Sequence, residues 1–257
     1  MTGACLVRPR HGGTVRARLF CFPYAGSGAS VYRAWGEGLP KELGVYAIQL
    51  PGRESRLREP PVPSIPLMVE QLLPELRQKL DLPFAIFGHS MGAVLAAEVS
   101  KALAAADDPM PDHLFVSGRR PPHLPSPDPP FHHLPDDQFV DEIERRYGGI
   151  PAEVRREAEL MALLVPGLRA DMTALETFDP RDHRPLSCPI SAFGGSDDPR
   201  TPREHLNAWR QHTTAAFRVR VFQGGHFYIN DRRSELLGDI ASTLAPMIAS
   251  ARAESAA

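Results

Sequence analysis

A serine between two glycines, Gly88-His89-Ser90-Met91-Gly92, stands directly after an apolar run, Phe84-Ala85-Ile86-Phe87, and directly before an Ala-rich stretch. This is the G-x-S-x-G pattern in a strand–turn–helix context, and its chemistry is nucleophilic attack by the Ser90 hydroxyl. The turn forces the serine into a strained backbone conformation, and the glycines let strand and helix approach closely. The following helix presents its N-terminus, with partial positive charge, to a developing oxyanion. An ordinary helix-cap serine would not need the flanking pattern.

A serine hydroxyl is a poor nucleophile without a base. Of the ten histidines, His226 in Gly224-Gly225-His226-Phe227 follows the last apolar run, where paired glycines allow a tight loop with the imidazole turned inward. His89 adjoins Ser90, but consecutive side chains on an elbow point apart, so it is expected to pack or to support the site. His132 and His133 lie in a proline-rich stretch and are expected at the surface. Elbow folds order their partners serine, acid, histidine along the chain. The acid then falls in Gly194-Gly195-Ser196-Asp197-Asp198-Pro199, where it would fix the imidazole tautomer. Asp198 is preferred because it stands three residues after Gly195 with Pro199 stiffening the turn. Asp197 is the alternative, or a cap for a helix starting near Pro202. An oxyanion hole needs two backbone N–H donors: Met91 after the nucleophile, and one from Phe22-Pro23-Tyr24-Ala25-Gly26. Pro23 has no N–H, which leaves Ala25 or Tyr24.

The elements that must position these groups read as alternating strands and helices. Strands are expected at Arg18–Phe22, Val45–Leu50, Phe84–Phe87, His113–Ser117, Pro189–Phe193 and Phe217–Phe222, each bounded by turn residues. Helices are expected at Leu67–Leu80 despite Pro74, Ser90–Ala106, Pro202–His212 and Arg232–Ile248. The alternation implies a single α/β domain over residues 1–257, with a mostly parallel central sheet flanked by helices. One segment, about 119–184, has no convincing strand. It runs through a proline-rich stretch, Pro121–Pro135, and then helical patterns at Asp136–Tyr147 and Ala152–Phe178, the latter with Leu160, Leu163, Leu164, Leu168, Met172 and Leu175. Such an insertion is expected to be a helical lid over the strand ends where these folds bind ligands. The Ala-rich tail from Ala249 to Ala257 is expected to fray.

Composition removes several classes of function. With 257 residues, 42% hydrophobic and 23% charged, the chain is long enough to bury its own core. Net charge is −2, with Lys+Arg 29 against Asp+Glu 31, so no polycationic footprint marks nucleic-acid binding. No run approaches a membrane span of about 20 apolar residues. Arg8 and Arg10 are not followed by the apolar stretch of a signal peptide, and a cytoplasmic location is expected. The three cysteines, Cys5, Cys21 and Cys188, have no metal or disulfide spacing. They are expected to be reduced thiols, Cys21 and Cys188 in or beside core strands, and no metal is expected.

Cys21-Phe22-Pro23-Tyr24-Ala25-Gly26, then Gln49-Leu50-Pro51-Gly52-Arg53-Glu54-Ser55-Arg56, then Gly88-His89-Ser90-Met91-Gly92-Ala93 closely resemble the type II thioesterases of polyketide and nonribosomal peptide assembly lines, enzymes of the α/β-hydrolase fold. Tyr147-Gly148-Gly149-Ile150-Pro151 and Leu168-Arg169-Ala170-Asp171 resemble that family's lid. The resemblance covers nearly the whole chain. Ser27 departs from it, where a second glycine is frequent. The resemblance implies a Ser90–Asp198–His226 triad with Met91 and Ala25 as oxyanion donors. It also implies hydrolysis of an acyl group from the phosphopantetheine arm of an acyl or peptidyl carrier protein, with no further cofactor, in an editing role. A basic rim would suit acidic carriers: Arg119 and Arg120 are candidates, as are Arg53, Arg56 and Arg58, each weighed against simple solvation.

Three other functions share this sequence pattern. A small-ester esterase would use the same triad, although the absence of an H-G-G-G-type oxyanion loop argues against that branch. A product-releasing thioesterase usually ends a longer polypeptide, and a chain starting at Met1 is expected to be free-standing. A carrier-binding scaffold without activity would not need all three triad positions. A monomer is expected, because sheet, helices and lid account for the apolar faces.

Overall fold

The protein, described as a computed structural model over residues 4–7, 14–180 and 184–254, is organised by strands whose successive side chains enter two different cores. Among the described residues seven strands form one sheet: β1 (Leu6–Val7), β2 (Ala17–Phe22), β3 (Leu43–Ile48), β4 (Phe84–His89), β5 (His113–Ser117), β6 (Ile190–Gly195) and β7 (Phe217–Phe222). Their order across the sheet is β1-β3-β2-β4-β5-β6-β7. All pairs are parallel except β1 with β3. Within β2, Phe20 and Phe22 join one buried cluster and Leu19 and Cys21 the other. In β4, Phe84 and Ile86 face the first cluster, Ala85 and Phe87 the second. A strand apolar on both faces must be covered on both, which is why these runs are continuous rather than alternating in hydrophobicity.

The covering helices are α1 (Ile65–Arg77) and α2 (Met91–Ala105) on the first face, and α8 (Arg233–Glu254) on the second. Ser64 accepts from Leu67 N–H at the start of α1, and Pro74 is accommodated inside that helix. Shorter helices are α6 (Arg203–Asn207), continued by a 3₁₀ turn, and α7 (Tyr228–Asp231). Between β5 and β6 lie α3 (Asp136–Arg146), α4 (Ala152–Arg156) and α5 (Ala158–Glu176), with no strand among the described residues of that segment.

The structure departs from expectation at four places. The two-residue β1 pairs antiparallel at the sheet edge, Leu6 opposite Ile48. The helix expected at Ala152–Phe178 is two helices, because Glu157 turns extended (φ −94°, ψ 97°). Val154 of α4 and Met161 of α5 thereby face one cavity. Of the six apolar positions expected on this helix face, Leu168, Met172 and Leu175 are buried, but Leu160, Leu163 and Leu164 are exposed. The tail does not fray through residue 254: α8 continues, Ala251 is buried, and Arg252 pairs with Glu42. Residues 255–257 of the tail, Arg8 and Arg10, and 181–183 of the insertion lie outside the described residues. Among the described residues no helix is long and apolar enough to cross a membrane.

Candidate active site

Parallel strands put their C-terminal ends on one edge, and every expected site residue follows such an end. Ser90 follows β4, Ala25 follows β2, Asp198 follows β6 and His226 follows β7. Ser90 has φ 53° and ψ −115°, a conformation that side chains rarely adopt and that persists only where surroundings impose it. Here the surroundings are explicit. A Cβ on Gly92 would lie 2.0 Å from the Phe22 carbonyl oxygen, and one on Gly88 would lie 2.0 Å from the Gly92 carbonyl oxygen. The Ser90 N–H donates to Ser117 O at 2.8 Å, tying the elbow to β5. Its hydroxyl makes no capping bond to α2, so it is not spent on the helix.

Asp198 and His226 meet at the neighbouring strand ends, and His226 lines one cavity with Ser90. His226 Nδ1 bonds Asp198 Oδ2 at 2.7 Å, and both residues are more than nine-tenths buried. Asp198 Oδ2 also accepts from Thr201 Oγ1 at 2.6 Å, and Oδ1 accepts from Arg200 N–H at 3.0 Å. Burial alone would raise this carboxyl, but the bonds from His226, Thr201 and Arg200 outweigh it and hold it at about 2. A carboxylate so satisfied stays ionised and keeps the proton of the imidazole on Nδ1. Asp197 is exposed and accepts from Ser196 Oγ. It does not cap α6, which starts without a side-chain cap, and the local turn bond from Arg200 N–H is accepted by Asp198. The two loops are laced by Ser196 N–H to Phe222 O (2.7 Å) and Asp197 N–H to Gly224 O (2.9 Å).

His89 is fully buried under the site. Its Nδ1 shares a 2.8 Å hydrogen bond with Ser117 Oγ, which in turn meets Tyr228 OH at 2.5 Å. Its ring centroid is 5.1 Å from that of His226. Burial first, and the neighbouring His226 second, push its pKa well below the usual histidine range, so it stays neutral. His132 bonds Glu176 and is half-buried, while His133 is exposed.

Met91 opens α2, where the first N–H groups of a helix have no intrahelical partner. Ala25 lines the same cavity as Ser90 and His226, and its N–H has no acceptor among the described residues. Tyr24 serves the loop in another way. Its ring packs edge-on against His89 and Phe227, and its carbonyl accepts from Ser27 N–H and Ser27 Oγ. Ser27, the departure noted in the sequence, thus locks the turn.

Two residues that hold this loop were not recognised from sequence. Gly26 N–H donates to Asp171 Oδ2 at 2.7 Å, and Arg53 grips both oxygens of Asp171 at 2.5 and 2.8 Å while donating to Ser27 O. Asp171 is completely buried and Arg53 is 6% exposed. Neither is a docking or solvated charge: they fasten α5 to the loop that carries Ala25. Both stood inside the family-like segments, but nothing local links positions 118 residues apart. Arg56 is likewise internal, bonded to Glu59 and Gln49 O, whereas Arg58 is exposed. Arg120 is buried and Arg119 half-buried, so Arg120 forms no rim.

In front of Ser90 and His226 opens a cavity of about 230 Å³. Its far wall is the helical insertion, including Ile143, Met161, Val165, Leu168 and Met172. An apolar chamber beside a serine–histidine–aspartate set can take an acyl chain with its carbonyl at the hydroxyl. Among the described residues no cluster of three side chains could hold a metal, and the three cysteines are free.

Comparison with known proteins bears on that chemistry. The family model "Thioesterase domain" matches residues 17–244. The gramicidin S biosynthesis protein GrsT of Aneurinibacillus migulanus is 40% identical over 222 residues, covering 86% of each chain. The thioesterase RedJ of the prodiginine pathway of Streptomyces coelicolor superposes with a TM-score of 0.83 at 39% identity, covering 89% of this chain and 90% of that one. The type II thioesterase BorB of the borrelidin cluster superposes with a TM-score of 0.82 at 34% identity, covering 93% and 96%.

Proposed function

This chain belongs to the thioesterase domain family, and on that premise we propose that it is a type II thioesterase that clears acyl groups from carrier-protein phosphopantetheine arms. The observation that carries the catalytic part is the buried Asp198–His226 bond beside the strained, uncapped Ser90. In this reading Ser90 Oγ attacks the thioester carbonyl while His226 Nε2 takes its proton. Asp198 holds the imidazolium. The N–H groups of Met91 and Ala25 receive the tetrahedral oxyanion, an interaction that strengthens as charge develops. The thiol leaves with the proton from His226, and a water activated by the same base hydrolyses the acyl-serine. No cofactor takes part.

The apolar cavity supports an acyl rather than a peptide-sized ligand, and α3–α5 would act as a lid that shapes it. The partners would be acyl or peptidyl carrier domains of a modular synthase, in the cytoplasm. One chain supplies every residue of the proposed site, which is consistent with a working monomer. The editing role rests on the likeness to relatives named as type II thioesterases.

The test is hydrolysis of a panel of carrier-bound acyl groups, from acetyl to long chain, beside simple esters. Carrier-bound thioesters should be the better substrates. Much faster cleavage of p-nitrophenyl esters than of any carrier-bound thioester would favour an esterase instead.

A further inference from the structure

A second cavity, of about 490 Å³, shares Tyr147, Met172 and Leu175 with the apolar chamber as a common wall. Its lining has the opposite character. Arg119, Arg120, Arg146 and Arg200 face it, against the carboxylates of Asp128 and Glu176. Most of these charges are already committed. Arg200 pairs with Asp128 at 2.7 Å and lies over the Tyr147 ring. Arg146 bonds Glu142 and Pro129 O. Glu176 Oε2 accepts from Phe131 N–H, His132 N–H and His132 Nδ1.

Arg120 is different. It is 8% exposed, yet its one hydrogen bond among the described residues runs from Nε to Leu124 O at 3.3 Å. No carboxylate pairs with it, and Nη1 and Nη2 have no acceptor among the described residues. Most of the side chain is buried while the unbonded Nη1 and Nη2 still reach solvent at the cavity, and a largely desolvated guanidinium without a counter-ion is costly. Burial, with Arg119 and Arg200 close by, lowers its pKa to about 10. The missing partner is an anion, and a free guanidinium fork fits two oxygens of a phosphate or carboxylate. The position decides between them. A carboxylate on an acyl chain would lie in the chamber with the Ser90 carbonyl, and Arg120 does not line that chamber. Arg120 lies three residues beyond Ser117, whose carbonyl accepts the Ser90 N–H, so its backbone is within about 10 Å of that of Ser117, less than the length of an extended phosphopantetheine arm.

We propose that this second cavity binds the phosphate-ester end of the arm whose thioester end lies at Ser90, with Arg120 as the anchor. The proposal rests on the carrier-thioester reading above and divides the substrate between two cavities, apolar for the acyl group and cationic for the phosphate.

The experiment compares kcat/KM for acyl-phosphopantetheine and acyl-pantetheine, which differ only in the phosphate, in wild type and in Arg120→Gln. Wild type should favour the phosphorylated substrate by about tenfold or more through KM, the worth of one charge-assisted hydrogen bond. R120Q should bring the two within about twofold of each other. Inorganic phosphate should compete with acyl-phosphopantetheine and not with acyl-pantetheine, a measurement on wild type alone that stands even where R120Q folds poorly. Equal wild-type rates, or a preference that survives R120Q, would overturn the proposal. So would a variant that instead loses discrimination between malonyl- and acetyl-pantetheine, which would place an acyl carboxylate at Arg120. Failure to hydrolyse either substrate, carrier-bound forms included, would instead overturn the thioesterase reading on which the proposal rests.

Discussion

At the sheet edge, Ser90, Asp198 and His226 each stand within a few residues of a strand end and are held by backbone geometry and buried hydrogen bonds. Across the cavity, α3–α5 bury Phe139, Ile143, Leu168 and Met172 in the core and add arginine bonds: Arg53 to Asp171, Arg169 to Asp136 and to the His132 carbonyl, Arg155 to Asp141. The insertion leaves Leu160, Leu163 and Leu164 exposed, the last of them also lining the cavity. The difference separates two roles. Chemistry is assigned to the groups at the strand ends, and choice of substrate to the helical insertion.

The contrast breaks most visibly if the edge tolerates change. Asp198→Asn keeps the shape but removes the charge that orders the tautomer, and should lower kcat by about 10⁴ at unchanged folding by circular dichroism. A loss below tenfold would mean that the Asp198–His226 bond is not catalytic. Next comes a buried ion pair between the regions. Asp171→Ala leaves Arg53 buried and unpaired, and should cost about 3–5 kcal/mol in urea unfolding. Because Gly26 N–H loses its acceptor too, kcat should fall with stability at a temperature where the variant is still folded. Stability loss with full kcat would show that the clamp does not set the Ala25 loop.

The two regions also differed in how far the sequence revealed them. The elbow was legible because a serine at positive φ between close-packed glycines needs one local residue pattern, and the strands because two-sided burial demands continuous apolar runs. The order of acid and base followed from the chain order that elbow folds share, serine, acid, histidine. Arg53, Arg120 and Asp171 were not legible in their roles. A charged residue reads as solvated unless its partner is known, and these partners lie far along the chain or, for Arg120, outside it in our proposal. The two-residue β1 carries no periodicity at all. The break at Glu157 left the helical spacing on either side intact.

Smaller effects should sharpen the division of labour. Met161→Ala in the chamber wall should change kcat/KM for long against short acyl groups by about ten- to a hundredfold, the range for altered apolar contacts in a binding pocket, and leave hydrolysis of acetyl thioesters nearly as before. An equal drop for all chain lengths would move α5 from specificity into catalysis. The smallest effect is on acid stability. Asp198 is held at about 2 against an ordinary 3.8, so its contribution to stability is full above about 3.8 and is lost as pH falls through about 2. Unfolding of the wild type between pH 4 and 2 should therefore be steeper than that of D198N, and parallel curves would contradict the satisfied carboxylate.

The most direct measurement is to quench the reaction with a carrier-bound acyl thioester at early times and map the acylated peptide by mass spectrometry. An acyl ester on Ser90 should form and decay during turnover, with no adduct and at least about 10⁴-fold less activity in Ser90→Ala. An acyl group on any other residue, or an S90A variant as active as wild type, would contradict Ser90 as the nucleophile.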